Sequence, residues 1–124
     1  MSVFVDSDIL IEVLRARNAA IQAAWLSMAR AGTTIMYSPV SSAEIWAGAR
    51  PNEHEQTTWL FRPLLCVPVT QEIGELAGEF MRLYSKSHSL KIGDALIAAS
   101  VVQNQADLWT LNRKHYPMPE LSFY

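Results

Sequence analysis

Cysteine is nearly missing from this chain: Cys66 is the only one in 124 residues. An internal disulfide and a thiolate metal centre are thereby excluded, and the apolar setting "LLCVPV" leads us to expect Cys66 to pack as a small hydrophobe. No apolar run reaches the about 18 residues a membrane span needs. Met1 opens onto a short run carrying an acid rather than a basic segment followed by a long apolar one, so the expected setting is cytoplasmic, with no membrane contact. Charge of one sign is lacking too. Ten Lys and Arg against twelve Asp and Glu leave a formal charge of -2, with no global basic field. That balance neither selects nor rejects a nucleic-acid partner. Repeats, low-complexity tracts and linkers are also missing, so residues 1–124 are expected to form a single domain, with half the residues apolar and available for a core.

What is present is an alternation of two patterns. "SVFVD", "TTIMYSPV", "LLCVPV", "ADLWTL" and "LSFY" are short and rich in β-branched and aromatic residues, and they read as strands. Between them, Ile9 to Ala16, Ala19 to Ala31, Ser42 to Ala49 and Glu53 to Phe61 read as helices, with Pro39, Pro51, Pro63 and Pro68 at the joins. From Gln71 to Lys86, the residues Ile73, Leu76, Ala77, Phe80, Leu83 and Tyr84 form a stripe of helical period behind Thr70 as N-cap. "KIGDALIAASVVQNQ" predicts a helix apolar on nearly every side, hence buried. Strands alternating with helices predict an α/β domain of four to five strands, mostly parallel and covered on both faces, with the last strand at an edge.

In such a sheet, functional side chains gather beyond the carboxyl ends of the strands. Asp6 ends the first strand, Glu44 follows the second, Asp94 lies in the first turn of the buried helix, and Thr110 and Asn112 close "DLWTLN". Each acid alone has a plain explanation as a helix cap or a favourable charge at a helix N-terminus. Asp94 fits that explanation less well, because its helix has little other polar surface and an unpaired charge there is costly. Acids converging at one end of a sheet repel one another unless a cation intervenes, and oxygen ligands without Cys or a well-placed His suit a hard ion, Mg²⁺ or Mn²⁺. Such an ion favours attack of water on a phosphodiester.

Taken in order, "VFVDSDILI", "SSAEIWAG", "KIGDALIAAS" and "LWTLNRKHY" resemble the PIN domain family, and especially the VapC-type toxins of bacterial toxin-antitoxin pairs. The resemblance spans nearly the whole chain. It implies a three-layer α/β/α sandwich, a metal-dependent endoribonuclease acting on RNA, a homodimer, and inhibition by a small antitoxin. Residue by residue, it places Asp6, Glu44 and Asp94 on the family's first three acids and Asn112 on the fourth position, where an amide replaces an acid and leaves open whether one metal binds or two. Asp6 and Asp94 are the implied metal ligands. Ser7 and Thr110 would orient water or substrate. Arg113 and Lys114, directly after Asn112, read first as a basic surface turn and otherwise as contacts for RNA phosphates.

Asp8 adds a charge where the family often has none; it either helps to neutralise a metal or caps the helix beginning near Ile9, and the cap, which needs no special geometry, is the favoured expectation. Trp25, Trp46, Trp59 and Trp109 are expected in the core, while Gly48, one turn after Glu44, would let a neighbouring backbone or a substrate approach. His54 and His88 are expected to have no role, and His115 none beyond a surface one. Two rival functions stay open at this level. One is a PIN-like module without activity that binds or dimerises; the other is a haloacid dehalogenase-like phosphotransferase with Asp6 as nucleophile.

Overall fold

The computed structural model describes residues 1–124. Its centre is β1 (Ser2–Val5), whose Val3, Phe4 and Val5 are wholly shielded from solvent. A strand exposes successive side chains on opposite faces, so burial of all three requires cover on both sides of the sheet. Phe4 packs into one cluster with Phe80, Ile97, Ala98 and Leu108, while Val3 and Val5 pack into another with Ile9, Leu10, Ile35 and Trp109. The three-layer α/β/α expectation follows from that division.

Along the chain, β1 is followed by α1 (Ser7–Arg15), α2 (Ala19–Arg30), β2 (Thr34–Tyr37), α3 (Pro39–Gly48) and α4 (His54–Phe61). Then come β3 (Leu65–Cys66), α5 (Gln71–His88), α6 (Ile92–Gln103), β4 (Asp107–Trp109) and β5 (Ser122–Phe123). The five strands lie in the order β3-β2-β1-β4-β5, and every pair is parallel. Phe4 stands between Met36 and Leu108 in register. The edge strands β3 and β5 have two residues each, which limits the unpaired backbone offered to another chain. No helix is long and apolar enough to cross a membrane.

Local chemistry sets the boundaries. Thr70 caps α5 as expected, its hydroxyl accepting from Ile73 N at 3.2 Å. In α6, Ala95 and Ile97 through Val101 are buried, and the buried Ser100 hydroxyl donates to the Leu96 carbonyl at 2.7 Å, which satisfies the one polar group on that stretch. The strand expected to reach Val40 stops instead at Tyr37. Ser38 takes the N-cap of α3, its hydroxyl accepting from Val40 N at 3.1 Å, and Pro39 occupies the first helical position, where its missing N–H costs nothing.

Three burial expectations fail for one reason, position at the margin. Cys66 is exposed because β3 is an edge strand with a neighbour on one side only. Trp59 is 59% exposed on α4, with the Arg62 guanidinium 4.9 Å from its ring centroid. Trp46 is 37% exposed and meets the His54 ring edge-on at 5.4 Å, so His54 has a contact the sequence did not suggest. Trp25 and Trp109 do join the core, 6.4 Å apart.

From β1 the chain moves outward through β2 to β3, then crosses back through α5 and α6 to add β4 and β5 on the other side. The strand order therefore reverses between β1 and β4. Loops diverge at such a point and leave a crevice beyond the carboxyl ends, the place where open α/β sheets bind ligands.

Candidate functional site

Asp6 stands at that crevice. Its N–H donates to the Trp109 carbonyl at 3.0 Å, which carries the β1–β4 ladder one residue past the strands and fixes where the side chain leaves the backbone. Asp6 is also the N-cap of α1, with Oδ1 accepting from Ser7 N at 2.8 Å. Its Oδ2 accepts from the Thr110 hydroxyl at 2.9 Å and from the Tyr116 hydroxyl at 2.7 Å. Burial, and then the Asp6 charge, hold the Tyr116 phenol far above its usual range, so it remains a donor. Three donors on a side chain only 8% exposed lock Asp6 in one orientation.

Asp8 does not cap α1, contrary to expectation, because Asp6 has that place and Asp8 lies inside the first turn. Its side chain reaches across to the segment after β4. There Oδ2 accepts from Leu111 N at 3.0 Å and from Asn112 Nδ2 at 3.1 Å, and it lies 3.3 Å from the Thr110 hydroxyl, whose one proton is shared with the nearer Asp6 Oδ2. The other oxygen, Oδ1, is buried without a partner. Burial first, then the Asp6 charge, push the Asp8 carboxyl up to about 6, against the opposing pull of the Leu111 and Ile9 backbone N–H groups and the Thr110 hydroxyl.

Ser7 ties α1 to α3. Its hydroxyl donates to Glu44 Oε1 at 2.9 Å and lies 2.8 Å from the Ser41 hydroxyl, which is left to donate to it. Glu44 is thereby held at the solvent side of the crevice while Ser7 and Ser41 stay buried. A cavity of about 180 Å³ opens beside Glu44, lined in part by Ile11, Leu14, Ile45, Gly48 and Thr57. No heavy atom lies within 4 Å of where a Gly48 side chain would begin, so Gly48 leaves this opening wide.

Asp94, half-buried in the first turn of α6, belongs to the same electrostatic group. Burial and then Asp6 raise its carboxyl above the usual range, while His115 and Lys91 pull it down. The structure thus brings Asp6, Asp94, Thr110, Asn112 and, through Ser7, Glu44 to one crevice. It also brings in Asp8, the less favoured of its two readings, and adds Ser41 and Tyr116, which were not foreseen. Arg113, Lys114 and His115 form an exposed 3₁₀ turn. Arg113 is engaged elsewhere: its guanidinium donates to the Tyr124 carbonyl at 2.9 Å and lies 5.1 Å from the Phe123 ring centroid, which fastens β5. Asn112 spends its amide on Asp8.

A hard divalent ion fits this donor set. The groups are oxygens, two carboxyls are held up by burial and then by the neighbouring Asp6 charge, and a buried carboxylate oxygen lacks a donor. No three carboxylate, imidazole or thiolate groups are gathered closely enough to form a ready-made metal site. An ion held here would keep several waters, as Mg²⁺ does.

The raised Asp8 carboxyl predicts a pH effect on the protein in chelator. A carboxyl whose folded value lies above its unfolded value stabilises the fold while protonated, and that contribution is lost as pH rises through about 6. Asp8→Asn is therefore expected to be more stable than wild type at pH 7.5, by on the order of 1 kcal/mol once partial solvent screening is allowed for, with the gap closing by pH 5. Thermal unfolding of both proteins at the two pH values measures it, and a gap that widens toward pH 5 contradicts the sign.

A family model described as PIN domain matches residues 3–121. The chain is 40% identical over 119 residues to Ribonuclease VapC10 of Mycobacterium tuberculosis, spanning 95% of this chain and 88% of that protein. It is 32% identical to Ribonuclease VapC19 of the same organism, over 94% of each. Its fold is similar to a chain in the crystal structure of DNA-bound VapBC from Salmonella typhimurium, with a TM-score of 0.84 at 12% identity, covering 100% of this chain and 97% of that one. It is also similar to a chain of VapBC2 from Rickettsia felis bound to a promoter DNA fragment, with a TM-score of 0.80 at 21% identity, covering 100% and 98%.

Proposed function

The chain belongs to the PIN domain family, and on that premise we propose that it is an endoribonuclease, dependent on Mg²⁺ or Mn²⁺, acting as the toxin of a toxin-antitoxin pair. The observation that carries the reading is the crevice between β1 and β4, where Asp6 is locked by Ser7, Thr110 and Tyr116, and where burial and then the Asp6 charge raise the carboxyls of both Asp8 and Asp94. The ribonuclease names of the relatives and the paired composition of the solved VapBC structures support it.

Asp6 and Asp94 would hold the ion, with Asn112 beside them. When bound, such an ion lowers the pKa of a water and offsets phosphate charge. Glu44, exposed and oriented by the Ser7 hydroxyl, is placed to take a proton from an attacking water. Thr110 keeps Asp6 in place. Lys91 and Lys114, both exposed next to the site in sequence, supply positive charge for the RNA backbone. Membership of this family sets aside a phosphotransferase with Asp6 as nucleophile. Two oxygens already bonded to three donors are also poorly disposed for such attack. The small antitoxin and a homodimer complete the proposed assembly.

The test uses purified protein freed of its partner, transfer and ribosomal RNAs, and added Mg²⁺ or Mn²⁺. Cleavage is expected with either ion and none in EDTA. Growth arrest on expression should vanish with Glu44→Ala. RNAs left intact under every metal condition, together with equal growth of cells carrying either form, would sink the proposal.

A further inference from the structure

Asp8 and Asn112 lie on different elements, α1 and the segment after β4, and face each other as a carboxylate and an amide. The Asn112 Nδ2 group donates to Asp8 Oδ2 at 3.1 Å. At that separation the pair accommodates only one acid, because two carboxylates in contact would repel. The sequence puts the acid on the helix and the amide on the loop.

How Asp8 is held indicates what the acid faces. Its Oδ2 accepts from the Leu111 N–H and the Asn112 amide, so the carboxyl cannot swivel freely. The Thr110 hydroxyl donates its one proton to the nearer Asp6 Oδ2 and lies 3.3 Å from Asp8 Oδ2, so one hydroxyl sits between the two carboxylates and couples their orientations. The remaining Asp8 oxygen, Oδ1, is shielded from solvent and has no donor from the protein. A buried acceptor left unpaired is costly, and for the ionised carboxylate beside Asp6 a cation, bound directly or through a water, relieves both the missing donor and the repulsion.

We infer that Asp8, through Oδ1, is an acidic ligand of the metal site, and that Asp8 with Asn112 forms one acid–amide pair contributing a single negative charge to it. Asn112 then orients Asp8 and binds no metal itself. The inference rests on the metal-dependent reading above. It makes the helix start "DSD" a two-acid unit, in which Asp6 and Asp8 serve the same ion from either side of Thr110.

The experiment measures Mn²⁺ binding by calorimetry and by electron paramagnetic resonance of free Mn²⁺, neither of which depends on activity. Asp8→Asn is expected to weaken Mn²⁺ binding at least tenfold. The exchanged variant Asp8→Asn/Asn112→Asp, which keeps one acid and one amide in contact, should recover to within about threefold of wild type, the difference being second-shell orientation. Unchanged binding in Asp8→Asn overturns the inference, and so does a lack of recovery in the exchanged variant. The exchanged variant conserves the charge, so its comparison with wild type stands even where the single substitution does not fold. Asp6→Asn is the separate control. If it binds Mn²⁺ as wild type does, or if wild type binds none, the metal-dependent function itself fails, which is a different result from loss at Asp8 alone.

Discussion

Asp6→Ala is expected to leave RNA cleavage at least about 10³-fold below wild type, the scale seen when a residue acting as part of a catalytic unit is removed. Asp6 is the group through which the others are arranged. It caps α1, pairs with Thr110 and Tyr116, and shifts both Asp8 and Asp94. Its removal acts on stability in two opposing directions. The loss of the cap costs about 1 kcal/mol, and the stranded Thr110 and Tyr116 hydroxyls cost about 1–3 kcal/mol between them. Relief of repulsion offsets part of this, since the Asp8 and Asp94 carboxyls are expected to move back toward their usual range. Unfolding in chelator should therefore show a loss of about 2 kcal/mol, too small to explain the missing activity in a protein of ordinary stability. Single-turnover cleavage and ¹³C titration of the two remaining carboxyls check both parts. Cleavage within tenfold of wild type would remove Asp6 from the proposed mechanism.

The architecture was legible because it depends on periodicity. Burial of "VFV" on both faces, the 3.6-residue stripe behind Thr70 and the apolar run from Ala95 are each local patterns that the sheet order leaves intact. Asp6, Glu44 and Asp94 were legible as acids at strand and helix ends. What escaped depends on contacts between distant segments. Tyr116, an aromatic between His115 and Pro117, carries no local sign that its hydroxyl will meet an acid 110 positions earlier. Ser41 reads as ordinary helix-start polarity until Ser7 is placed beside it. Asp8 was assigned to the nearest explanation, a cap, when its partners lie 102 to 104 residues away. Edge position misled in the other direction. Cys66, Trp46 and Trp59 are apolar residues left partly in solvent because nothing packs over that margin of the sheet.

Thr110 makes those distant contacts converge, and Thr110→Val tests how far they act together. Valine nearly matches threonine in shape, so the core beside Trp109 is undisturbed while one hydroxyl disappears. That hydroxyl serves Asp6 Oδ2 and Asp8 Oδ2 and accepts from Asn112 N at 3.1 Å. Water can replace it for the exposed Asn112 N–H, but not readily for the buried Asp6 oxygen, and an acceptor stripped of its donor costs about 1–3 kcal/mol. The Asp8 carboxyl, which Thr110 holds down, should rise further. Its charged form is then harder to bury, so the stability deficit is expected to be larger at pH 7.5 than at pH 5. Misorientation of Asp6 should lower cleavage about 10²-fold, the effect expected of a displacement of about 1 Å in a reacting group. Thr110→Ser keeps the hydroxyl and should stay within a few-fold of wild type in both measurements. Equal activities for the valine and serine variants would mean that the hydroxyl does not set the orientation of Asp6, leaving Tyr116 and the Ser7 backbone as its only anchors.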